Sequence, residues 1–86
     1  MRFRFIGRVQ GVSFRQFVRT RSGLLGVGGF VRNRPDGTVE AELEGEPEAI
    51  AELERALHME HPLARIDRVD REEIPVAGSR PPVHVR

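Results

Sequence analysis

The sequence predicts an α+β sandwich in which one sheet carries two helices on one face. Three observations predict it. Apolar residues alternate at period two in Met1–Val9 and in Thr38–Gly45. They recur at helical spacing after Phe14 and again after Glu46. Turn and stop signals at Gly26, Pro35-Asp36-Gly37 and Pro62 separate these stretches, and the resulting order is β-α-β-β-α-β.

The first strand has Phe3, Phe5 and Val9 on one face and Arg2, Arg4 and Arg8 on the other. A short loop, Gln10–Ser13, leads into a helix whose apolar stripe is Phe14, Phe17/Val18 and Leu25. Gly26 ends that helix in the way Gly does just past a C-terminus. Ser22 and Gly23 weaken its last turns, since Gly in a helix costs about 1 kcal/mol relative to Ala. Gly28–Arg34 reads as the second strand. Pro35-Asp36-Gly37 turns the chain, because Pro pre-sets φ and Gly accepts positive φ. In the third strand Val39, Ala41 and Leu43 point one way and Glu40, Glu42 and Glu44 the other. The glutamate row is expected to be a solvated face, opposite the arginines of the first strand.

Glu46–Met59 is the second helix, with Ile50, Leu53 and Leu57 on one stripe. Pro47 suits its first turn, Glu46 and Glu48 its positive end and His58 its negative end. Glu52 and Glu54 are expected to face solvent. Arg65–Ile74 is a fourth strand in which Ile66, Val69 and Ile74 keep imperfect phase. Val76–Pro82 reads as loop, and Val83–Arg86 can pair as a short fifth strand at an edge. This is the ferredoxin-like, split βαβ pattern, with an antiparallel or mixed sheet.

With 86 residues, the chain is expected to form one domain over residues 1–86. It has no Cys, which excludes disulfides and Cys-based zinc sites. No apolar run approaches the ~20 residues that span a bilayer. Met1–Ile6 has charges with no apolar stretch behind them, so no signal peptide is expected and the cytoplasm is the expected location. A net charge of +1 argues against nonspecific nucleic-acid binding. All 14 cationic side chains are Arg, a residue that grips oxyanions bidentately.

The chemistry-bearing segment is Gly7–Arg15. Gly11 lets the backbone approach a ligand closely. Successive amides in such a loop form an anion nest, and the helix behind it starts with unpaired N–H groups and partial positive charge. Arg15 sits in that first turn, where the dipole disfavours a cation. Its guanidinium can add two parallel hydrogen bonds to a phosphate. The crossover through the helix makes the second strand parallel to the first, so Asn33 ends at the same sheet edge as the loop. Asn33 can donate and accept, which suits it to position a water. The expected phosphate-binding residues are therefore Gln10, Gly11, Val12, Ser13, Phe14 and Arg15, through the loop amides and the Arg15 side chain.

At these residues the chain resembles the acylphosphatase family, whose pattern is Gly-Arg-Val-Gln-Gly-Val-x-Phe-Arg, then Gly-x-Val-x-Asn and an Asp-Gly turn. Gly7–Arg15, Gly29–Asn33 and Asp36-Gly37 match it. Gly45-Glu46-Pro47, His61–Ile66 and the Val83–Arg86 end extend the resemblance over nearly the whole chain. The resemblance implies hydrolysis of the carboxyl-phosphate bond of acyl phosphates, with Arg15 as phosphate binder and Asn33 orienting the attacking water. It implies a small-molecule substrate and no cofactor or metal. Ser13 stands where the family often has Gly, Phe30 where Trp is frequent, and Ser22 and Gly23 where better helix formers are usual.

Other readings weigh less. His58 and His61 have a His-x-x-His spacing, but a helix-end His and a loop His explain them without a metal. RNA binding on this fold needs aromatic platforms that the third strand lacks. A non-catalytic anion-binding or accessory domain of the same fold is the alternative to the enzyme. A monomer, with no nucleic acid and no membrane as partner, is expected.

Overall fold

Residues 1–86 are all described by a computed structural model. Strand β1 (Arg2–Arg8) leads into helix α1 (Phe14–Leu25), which is followed by strands β2 (Gly28–Asn33) and β3 (Val39–Glu44). Helix α2 (Pro47–Met59), strand β4 (Arg65–Glu72) and the short strand β5 (His84–Val85) complete the chain. The sheet order is β4-β1-β3-β2-β5. All pairings are antiparallel except β2 with β5, which is parallel, so the sheet is mixed. This is the expected ferredoxin-like arrangement with a fifth strand at one edge. No helix is long and apolar enough to cross a membrane.

The predicted stripes meet in one core. Phe3, Phe5, Val31, Val39, Ala41 and Leu43 of the sheet pack with Phe14, Val18, Leu53 and Leu57 of the helices. Phe5 and Phe14 meet edge to face at 5.3 Å between centroids, which locks the start of α1 onto β1. Fully burying a side chain of this size contributes about 1.5–3 kcal/mol. Gly26 closes α1 with its N–H on the Ser22 carbonyl, and Pro47 opens α2 as expected.

The imperfect phase of β4 has a physical cause. Ile6 pairs with Arg68 but Gly7 pairs with Ile66, so Asp67 is an extra residue in a bulge. The bulge lets Ile66 and Val69, three residues apart, both pack against the core. The strand ends at Glu72, two residues earlier than the sequence suggests, and Ile74 lies beyond it.

The glutamate row is not a solvated face, which corrects the expectation. Glu40 is buried and accepts hydrogen bonds from Arg32 and Arg34 at 2.8 and 2.9 Å. Glu42 pairs with Arg2 at 3.1 Å, and Arg2 also reaches Glu72. Glu44 receives the amides of Ala77, Gly78 and Ser79, which pins the tail that the sequence left as loop. Glu54 is likewise half-buried and joined to Arg71 instead of facing solvent. Arg4 and Arg8 stay exposed; Arg8 stands opposite Arg65, not a glutamate.

Glu40 gives a pH prediction. Desolvation pushes its carboxyl up, but hydrogen bonds and charge from Arg32 and Arg34 outweigh this and hold its pKa below the ordinary carboxylate range. The unfolded chain therefore binds the proton first as pH falls. This contribution is fully present above the ordinary range, near about pH 4.3, and is lost as pH falls through the folded value. Urea denaturation is expected to show stability declining below that range. Glu40→Gln should lower stability by about 1–3 kcal/mol at neutral pH and flatten the acid slope.

Candidate active site

The loop after β1 has the backbone that an anion cup requires. Gly11 has φ 72° and Ser13 has φ 60°, both left-handed. Ser13 is the only non-glycine residue with positive φ, and it immediately precedes the right-handed helix α1. A left-handed residue followed by right-handed ones turns consecutive N–H groups toward one point. None of the amides from Gln10 to Gln16 donates to a backbone acceptor; the first to do so is Phe17, to the Ser13 carbonyl at 3.1 Å. Ser13 makes no side-chain cap, so the helix N-terminus keeps its donors free.

Each predicted site residue has a definite place. Gly11, Ser13, Phe14, Arg15 and Asn33 line one open cavity of about 340 Å³, with Val9, Gln16 and Val85. Arg15 and Asn33 therefore share a site, as the parallel course of β1 and β2 requires. The Val12 and Phe14 side chains are buried in the core, leaving only their backbone to the loop. Gln10 turns its side chain away from the cavity. Its Nε2 donates to the Arg34 and Thr38 carbonyls at 2.8 and 2.9 Å. Gln10 thus ties the loop to the β2–β3 turn, and so fixes the distance from the loop to Asn33. The two histidines of the His-x-x-His spacing have protein partners: His61 Nδ1 accepts the Leu63 and Ala64 amides at 3.2 and 3.0 Å, and His58 faces Glu54.

Two residues of structural consequence escaped the sequence reading. The Arg15 guanidinium donates through Nη1 to the Arg86 backbone oxygen at 2.5 Å. One arm of the fork is thereby oriented by the C-terminal segment, while Arg has five N–H donors in all. That segment is held by Ser22. The buried Ser22 hydroxyl donates to the Arg19 carbonyl at 2.8 Å and accepts the Val83 N–H at 2.9 Å. A Cβ placed at the neighbouring Gly23 would come into ordinary contact with Pro82, so the tail passes close over this turn. What looked like a weak helix turn is the seat of β5. From there the chain pairs with β2, and Arg86 stacks its guanidinium over Phe30 at 3.8 Å. The only local signal was a small polar residue on the apolar stripe of α1.

Ser22→Ala removes the acceptor and leaves the buried Val83 N–H unpaired, at a cost of about 1–3 kcal/mol. Hydrogen exchange is expected to speed up at the Val83 and Arg86 amides more than in the helices. Equal acceleration throughout would mean that Ser22 does not specifically hold the C-terminal strand.

The comparisons with known proteins bear on the family and the fold. The acylphosphatase family model matches residues 1–81. The acylphosphatase of Rubrobacter xylanophilus is 51% identical over 80 residues, covering 93% of this chain and 73% of the relative. That of Anaeromyxobacter dehalogenans is 53% identical over 72 residues, covering 84% and 77%. A solved acylphosphatase structure from Coxiella burnetii superposes with a TM-score of 0.85 at 34% identity, covering 99% of this chain and 88% of that one. The family match over most of the chain, the identities of about half and the shared fold show that the chain belongs to the acylphosphatase family, a family of hydrolases.

Proposed function

We propose that the cavity between the Gln10–Arg15 loop and Asn33 hydrolyses acyl phosphates with no metal ion. The observation that carries this reading is the presence of Arg15, Asn33 and a run of unpaired amides around one cavity. The amides and the Arg15 fork bind the phosphoryl oxygens and stabilise the charge that develops on them. Asn33 holds a water against phosphorus. The water oxygen bonds to phosphorus as the bond from phosphorus to the acyl oxygen breaks. The carboxylate leaves with the electron pair, and the water proton passes to a phosphoryl oxygen, giving inorganic phosphate. A carboxylate is a good leaving group, so positioning and charge stabilisation suffice and no general base is needed.

The test is hydrolysis of acetyl and benzoyl phosphate with a chelator present, for the protein and its Arg15 and Asn33 variants. Turnover that survives the chelator and falls in both variants is expected. Phosphate binding without turnover would assign the chain to the non-catalytic accessory reading. Turnover abolished by the chelator and restored by a divalent cation would overturn metal independence.

A further inference from the structure

We propose that the acyl part of the substrate lies in a shallow apolar groove walled by Phe17, Pro62 and Leu63, so that apolar aryl or branched acyl phosphates are preferred. This inference rests on the hydrolytic reading of the neighbouring cavity. The groove spans about 410 Å³ and shares Ser13 and Gln16 with that cavity, so the two adjoin. Its lining carries no carboxylate and no arginine.

Position selects it as the leaving-group side. In phosphoryl transfer the attacking and leaving oxygens lie roughly in line on opposite sides of phosphorus. The sheet order puts β1, and the loop that follows it, between β2 and β4. Asn33, which holds the water, ends β2 on one side. His61–Leu63, which runs into β4, stands on the other. A phosphoryl group in the loop that is attacked from the Asn33 side therefore expels its acyl oxygen toward Leu63.

The groove wall is also built to hold its shape. His61 is buried, packs its ring at a tilt against Phe17 with 5.1 Å between centroids, and accepts the Leu63 and Ala64 amides. That acceptor role requires the Nε2–H tautomer and fixes the loop backbone. Yet the Leu63 side chain is 62% exposed, an apolar group displayed beside the cavity with nothing in the fold covering it. A preorganised apolar wall next to a polar cup suits a substrate with a charged end and an apolar end.

The readout is the ratio of kcat/KM for benzoyl phosphate to that for acetyl phosphate. Leu63→Ala is expected to lower this ratio about tenfold, in the range for trimming an apolar specificity pocket. Leu63→Asp should lower it further. Leu24→Ala, which removes an apolar side chain 79% exposed near the C-terminal end of α1, should keep the wild-type ratio. A ratio within threefold of wild type in both Leu63 variants, with acetyl phosphate still hydrolysed, overturns the groove and leaves the hydrolytic reading standing. No turnover of either substrate by the wild-type protein takes down that reading, and this inference with it.

Discussion

Arg15→Ala is expected to reduce turnover of acyl phosphates by about 10²- to 10⁴-fold. Two charge-assisted hydrogen bonds of ~1.5–3 kcal/mol each are lost from the phosphoryl oxygens, or about 3–6 kcal/mol together. Arg15→Lys should fall within about tenfold of Arg15→Ala. A Lys ammonium supplies charge but no planar fork. In wild type the Arg86 backbone oxygen holds one arm of the guanidinium, which restricts its orientation. A Lys at this position has a single nitrogen to divide between that oxygen and the phosphate. Steady-state kinetics on benzoyl phosphate, with inhibition by inorganic phosphate, checks both variants. A Lys variant that keeps more than a tenth of wild-type turnover would remove the fork from the mechanism.

Asn33→Ala separates binding from chemistry. Asn33 ends β2 opposite Val39, exposed on the cavity wall and on a different element from the loop amides proposed to take the phosphate. Its loss is expected to lower kcat by about 10²-fold, the scale for removing one donor aimed at the reacting centre. The inhibition constant of inorganic phosphate should stay within about twofold of wild type. Equal losses in kcat and phosphate affinity would make Asn33 a phosphate ligand, and undiminished kcat would exclude it from positioning water. Asn33→Asp adds a charge of the wrong sign beside the phosphate and is expected to weaken phosphate binding as well.

The two predictions meet at Ser22. It holds Val83, the following strand brings Arg86 to Arg15, and Val85 of that strand walls the cavity containing Asn33. A helix position with no substrate contact is thus joined to both groups through β5. A small polar side chain there trades some helix propensity for a buried acceptor that the C-terminal segment needs.

The sequence by itself determined the element order, the inward faces and the meeting of the loop after β1, Arg15 and Asn33 at one edge of the sheet. Those properties follow from local periodicity, turn chemistry and the handedness of crossovers, all of which act over short stretches of chain. The tertiary structure alone decided what distant polar groups do. It buried Glu40 among arginines, sent the Gln10 side chain to the β2–β3 turn and placed the Val83 amide on Ser22. It also placed the bulge at Asp67 that brings Ile66 and Val69 onto the core together. Spacing along the chain tells which way a side chain points. Which partner meets it there depends on strand register and on the path of the tail, and these are set only when the whole sheet closes on its helices.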